Sequence, residues 1–491
     1  MSSSITLSSI LALTPELALL ILAALVLMYD RALKPDNRRS LALIGAWGSF
    51  VVLLGVVGLW FFFGEPGPEP VVLWGGMFRH DLVTLVFRVM FLLALMLTCL
   101  FSADVKALQR GEYIGLLMTA TIGFSLMAAS GDLIMLYVAL ETASLSLYAL
   151  AGFTTGVYRS TEAAMKYFIY GAFASAVMLY GLSLVYGLTQ ETGLLATARA
   201  VATEPELPVL LAASLVIVGF GFKISAVPFH FWTPDVYEGA PTPVTGLVST
   251  ASKAAGFAVL LRVFMAGVFG DASASSDWWA VLVAMTIVTL TLGNFLAIHQ
   301  TNVKRLLAYS SIAQAGYAMM GLVSLSTDGT GATLFYLLYY VVSNVAAFGV
   351  IILVSNITKT DRIEDLAGLS RRSPYVALVM LFALLSLGGI PPTAGFFGKF
   401  FIFRAAVEVG LWWLALIGIV NAFVALYYYL SLVKVMYLYR SDEEDVAIPV
   451  SRAAKIALGV TLFGILYLGI LSQPTFEWTR EAATAFFAFA G

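Results

Sequence analysis

Seven basic residues stand inside long apolar runs of this chain: Arg88, Lys166, Lys223, Lys253, Arg262, Lys399 and Lys434. A carboxylate stands in another, within Leu136-Tyr137-Val138-Ala139-Leu140-Glu141-Thr142-Ala143-Ser144. A charge in hydrocarbon costs at least about 2.5–3.5 kcal/mol. Such a group needs a partner, a path to water, or a proton it can take up and release. Lysine suits the last role, because burial weakens its hold on a proton and a nearby carboxylate strengthens it. A Glu141 that moved toward or away from a buried lysine would load or release a proton. These residue types therefore point to proton transfer across a membrane. A pore for a large solute would want a wide polar lining, which the sequence does not show.

Each of these residues also has a plainer reading. Glu141 could sit in a structural ion pair, which is compatible with proton carriage. Lys223 could snorkel to an interface. Yet Pro228, Pro234 and the apolar-aromatic stretch around them argue that the chain is still within the membrane there. Lys253 lies among small residues, Ser249-Thr250-Ala251-Ser252-Lys253-Ala254-Ala255-Gly256, which permit close helix approach. It is expected inside the bundle. Lys399 follows Pro391 and Pro392 and is expected there too. Lys166 lies four residues after Glu162, a helical pair near a helix end, so an interfacial role stays open. Arg88, Arg262 and Lys434 lie nearer span ends and are expected at the interface. His230 could relay protons or simply pack beside the break. Aromatic runs such as Tyr427-Tyr428-Tyr429 and Trp412-Trp413 are expected as belts and helix packing. No metal or cofactor site is expected. Cys99 is the only cysteine, and His80, His230 and His299 lie far apart.

These residues need a membrane scaffold, and the composition supplies one. Of 491 residues, 60% are apolar and 11% charged, against roughly 25% charged in a soluble domain. At about 20 residues per crossing, the ceiling is near 15 spans. That excludes a secreted enzyme, a nucleic-acid binder and a water-soluble domain. The runs are continuous, so a β-barrel is excluded as well. The expected fold is an all-α polytopic membrane protein with about 14 transmembrane helices. They lie near 11–29, 41–63, 82–101, 113–129, 133–151, 163–188, 208–229, 243–269, 278–298, 306–325, 331–355, 374–403, 411–437 and 455–472, joined by short loops. The first is expected as a retained span, since its basic residues follow it. Loops after odd-numbered spans carry 16 Lys and Arg, and those on the other side carry 4. The basic side is cytoplasmic, so both termini are expected outside.

Two spans do not read as clean helices. The seventh runs into Pro228 and Pro234, and the twelfth contains Gly388-Gly389-Ile390-Pro391-Pro392-Thr393-Ala394-Gly395. Proline breaks a helix, and a break in a bilayer survives only against protein or water. Interrupted helices at matching places in two halves point to a transport site. Each break falls in the fourth member of a set of five, spans 4–8 and spans 9–13. Five is odd, so the second set is inverted. The expected organisation is one membrane domain over 1–491. It comprises three N-terminal spans (1–101), a first repeat (113–269), a second repeat (278–437) and a last span (455–472). Lys223 precedes its proline, whereas Lys399 follows its pair.

Three stretches resemble a known family. Pro228-Phe229-His230-Phe231-Trp232-Thr233-Pro234-Asp235, with the following Val236-Tyr237-Glu238-Gly239-Ala240-Pro241-Thr242-Pro243-Val244-Thr245, is the first. The others are Lys304-Arg305-Leu306-Leu307-Ala308-Tyr309-Ser310-Ser311-Ile312 and Gly389-Ile390-Pro391-Pro392-Thr393-Ala394-Gly395-Phe396. They look like the antiporter-like subunits of proton-pumping NADH–quinone oxidoreductase (respiratory complex I), and most like its N-type. Lys399 stands where M-type chains carry glutamate. The chain ends after span fourteen, without the lateral helix and extra span of L-type chains. The resemblance spans essentially all fourteen helices and implies two inverted five-helix bundles. It implies that Glu141 is the fifth-helix glutamate, with Lys166 beside it. It implies that Lys223 is the lysine at the break, Lys253 the link between half-channels, and Lys399 the outer half-channel residue. Gln314 stands where some relatives have histidine, so glutamine and water would have to bridge there. The implied setting is a bacterial cell membrane, among the other membrane subunits of complex I. NADH, FMN, iron–sulfur clusters and quinone belong to those other subunits. A cation/proton antiporter, a structural spacer, or a ferredoxin- or hydrogen-fed relative of complex I are the alternatives.

Overall fold

The computed structural model describes residues 7–34, 37–63, 71–265, 277–440 and 446–490. Of the expected spans, only the eighth runs past these bounds, at 266–269. Among the described residues, twelve helices are long and apolar enough to cross a membrane. Two further crossings were expected. Thr14–Ala32 has the length but carries Glu16, Asp30 and Arg31, and the twelfth span begins with the shorter Pro374–Gly388.

Burial sorts these helices into centre and rim. The apolar stretches of Thr242–Met265 and Thr327–Thr358 are wholly buried, and that of Val303–Val323 is 94% buried. Those of Arg39–Gly58 and Trp412–Leu438 are only 33% buried. Lys253 and Arg262 lie on one of the wholly buried helices, Thr242–Met265, whereas Glu141 and Lys223 lie on helices about half buried. The last helix, Ser472–Ala490, is a finding against the expectation of loops after span fourteen. Its Trp478, Arg480 and Glu481 dilute its hydropathy. Its Phe476, Ala482, Ala483 and Phe486 are nonetheless buried. Outside the helices, Val71–Leu73 pairs antiparallel with Phe78–His80 in a small hairpin.

The same local devices recur in the two sets of spans. Asp132 caps the fifth-span helix by accepting from the Ile134 and Met135 amides, and Asn302 caps the tenth by accepting from Lys304 and Arg305. The Leu133 amide donates to Thr192, and that of Val303 to Asp361. Tyr158–Thr189 and Thr327–Thr358 both have 32 residues, and each ends on a left-handed residue, Gln190 or Lys359. Glycine brings backbones together in each set. A Cβ at Gly123 would lie 2.6 Å from the Ala143 nitrogen, and one at Gly293 would lie 2.6 Å from that of Ala313.

The breaks match in the same detail. Helix Glu206–Ile224 ends at Ser225 (φ 63), where Ala226 donates to Gly221 and Ser225 to Phe222. Helix Pro374–Gly388 ends at Gly389 (φ 86), where Ile390 donates to Leu385 and Gly389 to Ser386. Both are Schellman closures, which satisfy orphan carbonyls at a helix end. Val227–Pro228 and Pro391–Pro392 are both cis. The chain resumes as helix at Trp232–Gly239 and Ala394–Glu408.

Candidate functional site

Lys223 occupies the last turn before the first break and is buried. Its Nζ donates to Ser144 Oγ at 3.0 Å and lies 5.9 Å from the Phe124 ring centre. Its stem passes Gly256 of the eighth span, where a Cβ would come within 3.2 Å of Lys223 Cγ. Glu141 lies one turn before Ser144 on the same helix and is half-buried. It accepts a hydrogen bond from Ser175, whose hydroxyl also meets Tyr137 at 3.2 Å. Helix Leu133–Ala151 therefore presents Glu141 and the partner of Lys223 on one face.

Lys253 follows directly on a π-helical segment, Val248–Ser252. Such wide turns shift side chains out of regular register and occur often at functional sites. Lys253 Nζ donates 2.8 Å to the Ser311 carbonyl of the tenth span. Ser311 Oγ meets Tyr340 at 2.8 Å and Tyr237 at 3.2 Å. Tyr340 in turn accepts from Asn344, which also donates to Ser249.

Lys399 turns back onto the break. Its Nζ donates to the carbonyls of Leu387 at 3.0 Å and Gly388 at 2.9 Å. These are end-of-helix carbonyls, where the helix dipole is negative and favours a cation. The Tyr317 ring centre lies 4.8 Å from the ammonium. Gln314 Nε2 donates to the same Leu387 carbonyl, so Gln314 and Lys399 share an acceptor. In the first break the Phe222 carbonyl instead accepts from the Trp232 indole, 3.1 Å away. Counting equally from Ser225 and Gly389 sets Leu387 opposite Lys223, and Lys399 opposite Asp235. The reversed lysine order of the two breaks is thus a difference of side chain on one backbone plan.

Lys223, Lys253 and Lys399 are each at most 4% exposed, and among the described residues none is in a salt bridge. Each ammonium is met by neutral oxygens and an aromatic face.

Lys166 is placed differently. It is bonded to Glu162 at 2.8 Å and Asp235 at 2.6 Å. Ser175, the partner of Glu141, lies about 13 Å further along the Lys166 helix. The structure thus joins Lys166 to other carboxylates rather than to Glu141. Arg305 continues the chain to Asp235 at 2.8 Å and Glu238 at 3.0 Å, and Arg159 ends it on Glu238 at 3.3 Å. All of these charges but Arg305 line an open cavity of about 120 Å³. His230 is buried within the break, against Phe231 at 4.5 Å, and its Nδ1 has no hydrogen-bond partner among the described residues. Pro228, Pro391 and Pro392 all fall in the breaks.

Two arginines expected at the interface are buried. Arg88, 2% exposed, pairs with Glu16 at 2.7 Å and donates to Ser125. Arg262, 1% exposed, binds both oxygens of Asp81 at 2.6 and 2.7 Å. Their acidic partners come from distant parts of the chain, which makes burial affordable. Lys434 is exposed near Tyr439. The tyrosine run divides likewise. Tyr427 is 65% exposed, but Tyr428 and Tyr429 are buried and bonded to Asn294, Ser310 and Gln314. Ser144, Ser311, Tyr340 and Tyr429 were not singled out from sequence. Only the spacing of Ser144 from Glu141 offered a signal.

Residues 130–425 match the family described as NADH:quinone oxidoreductase/Mrp antiporter, TM. NADH-quinone oxidoreductase subunit N of Moorella thermoacetica is 44% identical over 456 residues, covering 92% of this chain and 94% of that one. A chain of respiratory complex I from Thermus thermophilus superposes with a TM-score of 0.79 at 34% identity, covering 94% and 98%. A chain of the Mrp complex from Dietzia sp. gives 0.82 at 23%, covering 97% and 99%, a likeness of fold.

Proposed function

The chain belongs to the membrane-subunit family of NADH:quinone oxidoreductases and Mrp antiporters, and we propose that it is the N subunit of a bacterial respiratory complex I. In that assembly it moves protons across the cell membrane, driven by electron transfer from NADH to quinone in other subunits. Those subunits hold the FMN, the iron–sulfur clusters and the quinone. The observation that carries this reading is the line of three buried, carboxylate-free lysines across both sets of spans. Each is next to an irregular stretch of helix, and Ser311, Gln314 and the Leu387 carbonyl link the second to the third.

In this reading the chain crosses fourteen times with both termini outside. The two five-span repeats are 113–269 and 278–437. Protons pass from Lys223 to Lys253 to Lys399, and Glu141 modulates Lys223 through Ser144, which lies one turn along the Glu141 helix and accepts from Lys223. The Lys166–Asp235–Arg305 chain lies at the cytoplasmic mouth, and His230 stands beside the first break. A stand-alone antiporter would show the same fold. Purifying the native assembly separates the two readings. Recovery with the NADH- and quinone-reacting subunits supports the N subunit, and recovery only with antiporter subunits overturns it. In reconstituted vesicles, Lys223→Ala or Glu141→Ala lowers proton pumping at parental assembly. Undiminished pumping would sink the mechanism.

A further inference from the structure

Between Lys253 and Lys399 the hydrogen-bond partners among the described residues include no carboxylate or imidazole, but they form a cluster of hydroxyls around one amide. Gln314 is 2% exposed, and all its hydrogen-bonding capacity is used. The Leu387 carbonyl can only accept, so Gln314 must turn Nε2 toward it, at 3.1 Å. Its second N–H goes to Tyr429 Oη at 3.1 Å. Its Oε1 accepts from Tyr336, and from Tyr339 at 3.4 Å. An amide tied on both ends has no lone pair to take a proton and no site to pass one on.

The hydroxyls beside it are under no such restriction. Tyr429 Oη and Ser310 Oγ lie 2.5 Å apart, and either can donate to the other. Tyr429 already accepts from Gln314, so its own proton is available to Ser310. Ser310 adjoins Ser311, whose carbonyl holds Lys253 and whose hydroxyl meets Tyr340. Gln314 is one turn further on and reaches the carbonyl that holds Lys399. All of these side chains are buried.

We propose that Tyr429 and Ser310, held in register by Gln314 and with Tyr336 alongside, form the proton relay between Lys253 and Lys399. This rests on the proton-translocating reading above and names its central step. Each hydroxyl accepts one proton and releases another, with water completing the steps between hydrogen-bonded groups. One N–H bond breaks at the Lys253 ammonium and one forms at the Lys399 amine, so no intervening group changes charge on balance. Gln314 is a positioning residue, and its amide keeps its protons throughout.

The test measures protons moved per NADH oxidised in vesicles containing the whole complex, with the subunit present at parental amount. Tyr429→Phe removes only a hydroxyl, and the protons moved per NADH should fall by most of this subunit's share, since loss of a positioned proton-transfer group slows its step by roughly 10²–10⁴-fold. Ser310→Ala should fall likewise. A histidine at 314 offers a ring that both accepts and donates a proton, so Gln314→His should restore pumping to Tyr429→Phe. A purely structural role for Tyr429 would not be rescued this way. Parental pumping in both Tyr429→Phe and Ser310→Ala overturns the relay, and so does failure of Gln314→His to rescue. Lys399→Ala in the same vesicles keeps the two proposals apart. If it pumps normally, the proton-translocating reading fails. If it loses this subunit's share while Tyr429→Phe and Ser310→Ala both pump normally, only the relay fails.

Discussion

Asp81→Ala is the most demanding test of how this membrane domain tolerates its buried arginines. The Asp81 carboxylate receives two bonds from Arg262, at 2.6 and 2.7 Å, and an ion pair from Arg79 at 3.2 Å. It also caps the third-span helix at the Thr84 amide, 2.9 Å away. After its removal Arg262 keeps, among the described residues, the Ala128 carbonyl and Thr84 as hydrogen-bond partners. Stranding one member of a buried ion pair costs about 3–5 kcal/mol, and losing a helix cap costs about 1 more. The expected loss is therefore about 4–6 kcal/mol. Replacing both partners with apolar groups is often close to neutral, so Asp81→Ala with Arg262→Met should recover most of it. The assay is unfolding of the subunit in mild detergent against added SDS, followed by circular dichroism. A loss below about 1 kcal/mol for Asp81→Ala, or a double variant no better than the single, would refute the reasoning.

Three further outcomes follow from the geometry. Burial alone would raise the Asp81 carboxyl, but the Arg262 charge and hydrogen bonds, with Arg79, hold it down to about 2. Against about 3.9 unfolded, this contributes about 2.6 kcal/mol. Because the folded value is the lower one, that contribution is complete above about pH 4 and is lost as pH falls toward 2, which the same unfolding assay at pH 3 and pH 7 reads. Gly389→Ala places a Cβ at φ 86, 3.0 Å from Lys399 Cδ. The strain is about 1–2 kcal/mol, and proton pumping in vesicles should fall further than subunit assembly does. Trp232→Phe keeps the stacking on Tyr167 at 4.5 Å but removes the indole bond to the Phe222 carbonyl, which keeps its bond from the Ser225 amide. It should cost about 0.5–1.5 kcal/mol in SDS unfolding.

The fold was largely legible because a bilayer permits few solutions. Apolar length sets the helices, and a proline inside a span marks a break. The charges expected inside, Lys223, Lys253 and Lys399, are inside, because small residues and breaks flank them in the sequence itself. Arg88 and Arg262 misled for the opposite reason. Their partners Glu16 and Asp81 are far away in the chain, and no local pattern announces such a pair. Tyr428 and Tyr429 looked like their neighbour Tyr427, since a helix turns consecutive residues to different faces and the face depends on packing. Lys166 read as a local pair with Glu162, and its stronger tie to Asp235 needed the short helix beyond the break. The amphipathic helix Ser472–Ala490 was passed over because only its inner face is apolar.

The central claim is that the three lysines act in one proton path, and Lys253 tests it most directly, since it stands between the other two. Lys253→Met preserves length and bulk and removes only the proton-carrying group. In vesicles holding the complete complex, protons moved per NADH oxidised should drop by this subunit's whole share, with electron transfer to quinone retained when the membrane is made leaky. An unchanged ratio of protons to NADH in that variant would contradict the account.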